Sequence, residues 1–446
     1  MSALIAWWKT RFSKVVDFFR GPQKNDGLRK RSGVSRAQKS KPIVKIKKPS
    51  RRIVKKALKP VPPKKTTSRK VGPVTQLPKI AAKEVKESIS THFERAPSNP
   101  ILKPYELNHW ESQATFNPAA LYEDGKVHLI YRAVGKGDVS VLGYASSYDG
   151  VHIDERLADP AHFSQRNSES KRMGTRIDYG SGGGWNGGCE DPRMTCIDDI
   201  VYLLYTAFDG WGSIRIALST ISLDDFLKKR WNWEDPVLIS PPGEIHKNWV
   251  IFPEKINGKF AILHSVSPKV RVDYIKSLNE LRQDDTFIQS HYVKSSRRKA
   301  WDSWVRGAGP PPIKTKYGWL LLYHAMDDND PNRYKLGAML LDLKDPTQVL
   351  YRSNAPILEP DACYENEGFK SGVVYSCGAV VVDKNLYLYY GGADTVSCVA
   401  VANLEKFLKD LMSSGAPKIK GVAKPKRKPY AISKAVKKKS HSLAKS

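Results

Sequence analysis

Residues 201–205 read VYLLY, and residues 214–218, which follow after a polar turn, read IRIAL. Short runs of valine, isoleucine, leucine and tyrosine are typical of buried β-strands. Two such runs joined by a turn predict an antiparallel hairpin. The same arrangement recurs along residues 127–402, so this stretch is one copy of a repeat.

The repeat has a regular spacing, because the first runs of successive hairpins start 74, 59, 59 and 67 residues apart. The first runs are residues 127–131, 201–205, 260–264, 319–323 and 386–390, and the second runs are residues 142–145, 214–218, 270–275, 336–341 and 399–402. A β-sandwich would space its strands at about 8–12 residues without this longer period. The sequence therefore predicts an all-β fold, a five-bladed β-propeller whose loops converge on one axis.

The formal net charge of +29 is unevenly distributed. Residues 1–90 hold 26 Lys and Arg against 4 Asp and Glu, and residues 416–446 hold 11 against none, so residues 91–415 carry a net charge of −4. Segments this rich in lysine and proline cannot bury a core. We expect four parts: an amphipathic basic and aromatic helix at 1–22, a disordered Lys/Pro-rich tail at 23–90, a catalytic β-propeller domain at 91–415, and a disordered Lys-rich tail at 416–446.

The composition of the two tails indicates a binding partner rather than a catalysed reaction. Residues 2–20 read SALIAWWKTRFSKVVDFFR, which as a helix sets aromatic beside basic side chains. This composition suits an interfacial membrane helix, or a helix that docks on the folded domain or on another protein. Both tails suit a polyanion, either nucleic acid or an acidic membrane surface, although a solvated segment without a specific partner is the default interpretation of such a composition.

The cysteines and histidines indicate the compartment and exclude some cofactors. Five cysteines without a Cys-x-x-Cys spacing predict neither a disulfide framework nor a zinc site. We therefore expect a reducing, cytoplasmic location, with peripheral attachment at the inner membrane surface through residues 2–20 as one alternative. No His/Cys cluster has metal-ligand spacing, so no metal or organic cofactor is expected.

A candidate for acid catalysis lies in residues 187–193, which read GGCEDPR. Pro192 cannot donate to a sheet ladder, so Asp191 is expected at a strand entrance rather than inside a strand. A partly desolvated carboxylate there could keep a proton at neutral pH, as a general acid must. A strand-capping aspartate paired with Arg193 is the alternative explanation of these seven residues.

A series of motifs in one order carries a resemblance to a known family. The motifs are residues 116–120 (FNPAA), 131–132 (YR), 188–193 (GCEDPR), Lys247, 252–259 (FPEKINGK), 307–313 (GAGPPPI), 318–320 (GWL), 323–324 (YH), 364–368 (YENEG) and 389–394 (YYGGAD). On these motifs residues 105–412 resemble glycoside hydrolase family 130, the mannoside phosphorylases and related β-mannosidases. The resemblance implies a five-bladed propeller that breaks β-mannosidic bonds with inversion, using phosphate or water.

The resemblance also implies roles for individual residues. Asp191 looks like the general acid, in some members acting through a sugar hydroxyl. The residues expected to bind substrate are Asn117, Arg132, Glu190, Arg193, Asp394, Glu365 and Glu367. The residues expected near inorganic phosphate, the co-substrate of a phosphorylase, are Lys247, His324 and Arg306.

One departure from the family pattern affects the phosphate site. Phosphorylases of the family commonly read His-Arg where this chain reads His264-Ser265, and that arginine contacts phosphate. A phosphate dianion needs several cationic donors. Arg306, Arg271 and Lys269 are candidates to replace the missing charge.

The nucleophile decides which further residues are needed. Phosphate is already anionic, so the protein supplies positive charge and no second catalytic carboxylate. Water would need a general base well separated from the acid, for which Glu254, Glu365 and Glu367 are candidates. Asp302 could bind a sugar hydroxyl or cap a structural element.

Three functions follow from these alternatives. The first is an inverting β-mannoside phosphorylase that releases mannose 1-phosphate. The second is an inverting β-mannosidase that uses the same site. The third is a non-catalytic propeller that its tails tether to a polyanion or a membrane.

Overall fold

A computed structural model of the protein describes residues 93–138, 140–162, 188–208, 214–282, 286–290 and 300–414. All of them belong to one compact unit, residues 83–446. Strands dominate these residues, as predicted for an all-β fold. The predicted helix at 1–22 and the tails at 23–90 and 416–446 lie outside the described residues. No helix in the described part is long and apolar enough to cross a membrane.

The strands form five antiparallel groups along the chain, which we number I to V. Group I contains β2 (Ala114–Glu123), β3 (Lys126–Val134), β4 (Ser140–Ser147) and β5 (Glu155–Arg156), and group II contains β6 (Gly188–Ile197), β7 (Ile200–Phe208), β8 (Ile214–Ser222) and β9 (Val237–Leu238). One parallel bridge between Ser140 and Gly188 joins these two groups into an eight-stranded sheet.

The other three groups are separate sheets. Group III contains β10 (Val250–Ile251), β11 (Phe260–Ser265) and β12 (Arg271–Ile275). Group IV contains β13 (Trp304–Ala308), β14 (Ile313–Thr315), β15 (Gly318–Asp327), β16 (Asp330–Leu341) and β17 (Val349–Arg352). Group V contains β18 (Val374–Val382), β19 (Asn385–Gly392), β20 (Val396–Asn403) and β1 (Glu94–Arg95). The helices are α1 (Leu223–Leu227), α2 (Cys363–Asn366) and α3 (Leu404–Ser414), with a 3₁₀ helix at Leu278–Arg282.

All five predicted hairpins are antiparallel pairs in the structure. They are β3–β4, β7–β8, β11–β12, β15–β16 and β19–β20. The sequence pattern did not reveal the strand that opens each group, namely β2, β6, β10, β13 and β18. Four of these opening strands contain glycine, proline or charged residues that break the apolar pattern, whereas β10 has only two residues. Strands β2, β6 and β13 carry several residues of the candidate site.

The hydrophobic clusters connect the groups in a cycle. Groups I and II share one cluster, and further clusters join II with III, III with IV, and IV with V. A fifth cluster joins V back to I, with Val380 and Tyr389 packed against Leu129 and Tyr131. Side chains alternate between the two faces of a strand, so one strand serves two clusters. In β15, Leu320 packs toward group V whereas Leu321 packs toward group III, which explains why the runs are apolar throughout.

Groups I and IV contain the same buried polar arrangement. In group IV the hydroxyl of Tyr323 donates to Asp302 Oδ2 at 2.7 Å, and Arg352 Nε donates to the same oxygen at 2.8 Å. Gly337 faces the Tyr323 ring, where a Cβ atom would lie 2.5 Å from the ring. Group I repeats the arrangement with Tyr131, Glu111, Arg156 and Gly143. Asp302 therefore holds structural elements together, as the second of its two alternatives predicted.

The arrangement in group IV predicts a large loss of stability on substitution. Asp302→Ala would leave Arg352 and Tyr323 without their buried acceptor, and we expect the free energy of unfolding to fall by about 3–5 kcal/mol. Urea unfolding followed by tryptophan fluorescence would measure this. Glu254→Ala, which removes an exposed ion pair with Lys314, is the control and should change the value by less than about 1 kcal/mol. Equal effects of the two substitutions would contradict this interpretation.

Candidate active site

Two proline-containing bulges place the central side chains. The ladder between β2 and β3 shifts register between Phe116 and Ala119, and the ladder between β6 and β7 shifts between Glu190 and Arg193. A bulge re-aims a side chain away from the regular alternation of a strand. The residue before each proline, Asn117 or Asp191, has a left-handed φ of 50°. The prediction that Asp191 lies at a strand entrance is wrong, because a bulge accommodates Pro192 inside β6.

The bulges bring Asn117 and Asp191 into direct contact. Asn117 Nδ2 donates to Asp191 Oδ1 at 2.8 Å, and Arg132 Nη1 donates to the same oxygen at 3.2 Å. Arg132 Nη2 also donates to Glu190 Oε1 at 2.9 Å, and Lys247 Nζ lies 3.4 Å from Glu190 Oε2. Glu190 and Asp191 are both buried. Five residues that the sequence proposed from distant positions therefore form one ion cluster.

The cluster keeps Asp191 ionised. Burial alone would raise the pKa of this carboxyl group, but Arg132, Lys247 and Arg193 and the hydrogen bond from Asn117 outweigh it and lower the pKa to about 2. The expectation that the surroundings preserve a proton on Asp191 at neutral pH is therefore wrong for the free site. A proton that Asp191 donates has to reach it in the complex with substrate.

Asp394 is shifted in the opposite direction. It lies half-buried in a left-handed turn with a φ of 51°. Burial raises the pKa of Asp394 and the charge of Asp191 raises it further, whereas Lys370 and Arg132 lower it. Two carboxyl groups whose pKa values are driven apart are typical of a site that moves protons.

Arg193 is used by the protein itself. Its Nε donates to the Gly309 carbonyl at 2.9 Å, its Nη1 to the main-chain carbonyl of Asp191 at 2.7 Å, and its Nη2 to Asn248 Oδ1 at 2.9 Å. The alternative that Arg193 pairs with the Asp191 carboxylate is therefore wrong, since the contact is to the main chain. Arg193 joins groups II and IV to the segment before group III, and its predicted contact with substrate finds no support in this geometry.

His324 is buried and neutral. Its Nε2 accepts a hydrogen bond from the Ser376 main-chain N–H at 3.0 Å, and its ring stacks on Tyr375 at 3.9 Å. Burial and the nearby charge of Arg193 lower the pKa of His324 to about 3. The proton is thus on Nδ1, which has no hydrogen-bond partner among the described residues. His324 can offer a ligand an N–H group but no positive charge.

A second set of cations surrounds Tyr334. Arg306 Nε donates to the Tyr334 hydroxyl at 2.9 Å, and its guanidinium lies 4.5 Å from the centre of the Trp304 ring. Lys370 Nζ lies 4.4 Å from the centre of the Tyr334 ring. Although burial opposes it, the charges of Arg306, Lys370 and Lys247 lower the pKa of Tyr334. Sequence reasoning missed Tyr334 and Lys370, and the only available signal for Lys370 was its position two residues after the YENEG motif.

Two predicted acidic residues lie apart from the ion cluster. Glu365 is buried and accepts hydrogen bonds from Arg95, at 2.7 Å, and from Tyr390, at 2.8 Å. Glu367 is exposed at the end of α2. The predicted substrate contact of Glu365 finds no support, because its carboxylate links Arg95 of β1 to Tyr390 of β19. That of Glu367 stays a prediction.

Ser265 stands where phosphorylases of the family commonly have an arginine, and it lies away from the ion cluster. The neighbouring candidates to replace that arginine, Lys269 and Arg271, lie away from it as well. The Ser265 hydroxyl donates to the Ser267 carbonyl at 3.0 Å. Arg271 pairs with Ser265 in the β11–β12 ladder and is exposed, as is Lys269. Glu254 forms an exposed ion pair with Lys314 at 2.6 Å. Of the three candidates to replace the missing charge, Arg306 is the one that the structure places beside other predicted site residues.

No group of three or more His, Cys, Asp or Glu side chains in the described part of the chain could hold a metal ion. What the arrangement offers is an ionised carboxylate, buried N–H donors and several fixed cations. Such a site can bind a polar substrate together with an anion and can stabilise charge that develops between them.

The neutral state of His324 predicts a pH dependence of stability. The pKa of His324 is about 3 in the folded protein, whereas its ordinary value is 6.5. Below pH 6.5 the imidazole is therefore protonated in the unfolded chain but stays neutral in the folded protein. Between pH 6.5 and 5 the wild type should therefore lose about 2 kcal/mol more unfolding free energy than His324→Phe does. Urea unfolding at both pH values would measure this, with the exposed His109→Asn as control. Parallel curves for wild type and His324→Phe would mean that His324 is a cation in the folded state.

Comparison with known proteins agrees with this site. The model of glycoside hydrolase family 130, described as β-1,4-mannooligosaccharide phosphorylase, matches residues 92–413. A 1,2-β-oligomannan phosphorylase from Thermoanaerobacter sp. (strain X514) is 39% identical over 322 residues, which are 70% of this chain and 98% of the relative. A β-1,2-mannobiose phosphorylase from the same organism is 38% identical over 327 residues, which are 70% of this chain and 97% of the relative.

A solved structure gives the same result. The β-1,2-mannobiose phosphorylase from Listeria innocua, in complex with β-1,2-mannobiose, superposes with a TM-score of 0.55 and 25% sequence identity over 72% of this chain and 99% of its own. The family match covers all five strand groups and every residue of the ion cluster. The chain therefore belongs to glycoside hydrolase family 130.

Proposed function

We propose that the protein is an inverting β-mannoside phosphorylase, which transfers a mannosyl unit to inorganic phosphate and releases mannose 1-phosphate. The observation that carries this proposal is the combination of the buried Asp191 with the cations Lys247, Arg306 and Lys370 in one site. A phosphorolytic site needs fixed positive charge for its nucleophile and one group that handles the proton of the leaving oxygen.

We infer that the five strand groups form a five-bladed β-propeller. The hydrophobic clusters link the groups in a cycle, and β1 pairs with β20 so that the start of the described chain completes the last group. In a propeller the first strand of each blade lies closest to the axis. This explains why Asn117, Asp191, Arg306 and Tyr375 come from the opening strands of four groups and contribute to one site.

The reaction balances with phosphate as the source of the proton. The bond between mannosyl C1 and the leaving oxygen breaks, and a bond from C1 to a phosphate oxygen forms on the opposite face. The hydrogen of hydrogen phosphate ends on the leaving hydroxyl, and mannose 1-phosphate departs as a dianion. Because Asp191 is ionised in the free site, it acts as a relay that takes up a proton in the complex and passes it on, directly or through a sugar hydroxyl.

We propose β-1,2-linked mannobiose and oligomannans as the substrates. The two Thermoanaerobacter relatives and the Listeria protein are named for β-1,2-linked substrates. The two Thermoanaerobacter relatives are aligned over almost their whole length, which supports a shared substrate class.

Hydrolysis by the same site is supported less well. A water nucleophile needs a second carboxylate as base. Of the three candidates, Glu254 pairs with Lys314, Glu365 with Arg95, and Glu367 is exposed on α2. Glu190 lies in the cluster, but it is already paired with Arg132 and Lys247.

The proposal predicts phosphate-dependent turnover. The purified full-length protein should convert β-1,2-mannobiose to mannose 1-phosphate, detected by ³¹P NMR, only when phosphate is present, and β-1,4-mannobiose more slowly. Asp191→Asn should lower the rate by roughly 10²- to 10⁴-fold. Asp199→Asn is a matched control, since Asp199 is exposed and also left-handed, with a φ of 56°. Equal mannose release without phosphate would indicate a hydrolase, and an active Asp191→Asn would refute the assigned role.

We also propose that the basic tails hold the enzyme at an anionic membrane surface in the cytoplasm. Residues 1–90 carry a net charge of +22 and residues 416–446 one of +11, whereas residues 91–415 are slightly acidic. Residues 2–20 combine aromatic and basic side chains as interfacial helices do. The five cysteines are free thiols, which suits a reducing compartment.

This tethering predicts binding to vesicles. The full-length protein should co-sediment with vesicles that contain phosphatidylglycerol and not with pure phosphatidylcholine, and binding should weaken as salt is raised. Replacing Lys9, Arg11, Lys14 and Arg20 with Gln should reduce binding without changing turnover. Binding to nucleic acid but not to anionic vesicles would favour the other polyanion.

A further inference from the structure

We propose that the outer edge of strand β12 pairs with the same strand of a second copy of this chain, so that the protein forms a symmetric dimer. This inference goes beyond the proposed function, because it concerns the outer edge of group III and not the ion cluster. It is carried by three features of the structure: the uncovered edge of β12, the direction of its main-chain groups, and the order of charges along it.

Group III differs from the other four groups at its outer edge. In groups I, II, IV and V a further strand covers the second strand of the hairpin: β5 covers β4, β9 covers β8, β17 covers β16 and β1 covers β20. Within the described part of the chain, no strand pairs with β12 on the side away from β11. Arg271 and Tyr274 of β12 are exposed, whereas every residue of β4 is buried. An uncovered edge of this kind is a template for another strand.

The main-chain groups on this edge are directed outward. The N–H of Phe252 donates to the Ala261 carbonyl at 3.0 Å, so the main chain of Ala261 faces β10. In an antiparallel ladder the direction of hydrogen bonding alternates from residue to residue. Tyr274 lies opposite Ala261, and its N–H and carbonyl therefore point away from β11, as do those of Val272. No described residue forms a main-chain hydrogen bond with these outward groups.

The side chains of β12 are complementary to themselves in one antiparallel register. In that register Val272 pairs with Val272 of the second copy, and the two residues exchange their outward hydrogen bonds across a two-fold axis. Arg271 of each copy then lies opposite Asp273 of the other, and Val270 lies opposite Tyr274. Opposite charges directly across a ladder stabilise it, and the symmetry provides each pair twice.

Both charges are open to a partner. Arg271 forms no ion pair with any residue that the structure describes, and the side chain of Asp273 is 48% exposed, with Oδ1 3.9 Å from His264 Nε2. Charges of one sign along an edge would repel a second copy. A cation and an anion two residues apart instead favour a partner strand that carries the same pair in the opposite direction. A second copy of this chain supplies that strand.

The contact is small, so the dimer should be reversible. A five-residue edge buries less surface than a standard stable interface, and we expect a dissociation constant of roughly 10–100 μM. Analytical ultracentrifugation of the full-length protein over a concentration range of about 1–300 μM would measure it.

A charge exchange tests the register. Arg271→Asp and Asp273→Arg each place like charges opposite one another twice, and each should weaken the dimer at least about tenfold. The two substitutions change the net charge in opposite directions, so a shared effect cannot come from net charge. The double variant Arg271→Asp/Asp273→Arg restores opposite pairs and should dimerise within about threefold of wild type. Lys255→Asp is the matched control, because it makes the same charge change at an exposed residue outside β12 and should leave the dissociation constant unchanged.

A main-chain substitution tests the hydrogen bonds. Val272→Pro removes the N–H at the two-fold axis. Because this N–H points away from β11, the proline leaves the β11–β12 ladder intact, and the circular dichroism spectrum should match that of wild type. We expect Val272→Pro to sediment as a monomer over the whole concentration range.

Three results would overturn the proposal. A wild type that sediments as a monomer at every concentration would show that the edge takes another occupant, such as residues 291–299 of the same chain, or none. A dimer that neither single charge substitution weakens would show that another surface forms the contact. A double variant that stays as weak as the single variants would exclude the register on which the proposal rests.

Discussion

The ion cluster around Arg132 is the interaction on which the site depends. Arg132 donates to Glu190 and to Asp191, two adjacent buried carboxylates that would repel each other without it. Burying unpaired charge is strongly unfavourable, so the cluster forms only when β3 and β6 pack close to each other. Asn117 and Lys247 add the remaining contacts from β2 and from the segment before β10. Correct packing of groups I, II and III is therefore a condition for the chemistry.

The same constraint explains how the rest of the chain is used. Several acidic and basic residues within the sequence motifs hold the architecture together rather than a ligand. Glu365 binds Arg95 of β1, and Arg193 binds main-chain carbonyl groups from two different parts of the chain. Buried charges of this kind must be fully paired to be tolerated. Among the described residues, Nδ1 of His324 is left without a protein partner and can bind a ligand.

The electrostatics divide the site into two parts. Around Asp191, cations lower the pKa of the carboxyl group, so that part starts the reaction without a proton. Around Tyr334, the cations have fewer carboxylate partners and can stabilise an incoming anion. His324 lies between these parts as a neutral donor. An anionic nucleophile that brings its own proton is the co-substrate that fits both parts, which agrees with phosphorolysis.

The amino-acid sequence by itself determined the β-hairpins, their fivefold repeat and the five residues of the ion cluster. The hairpins and their repeat follow from local residue patterns. The cluster residues follow from motifs that occur along this chain in the same order as in the family that it resembles. Only the tertiary structure decided that Asp191 is ionised, that His324 is neutral, that Asp302 and Glu365 are structural, and that Lys370 contacts Tyr334. The reason is physical: a pKa and a hydrogen-bond partner depend on distances between residues from different strand groups, and no local period of the sequence encodes those distances.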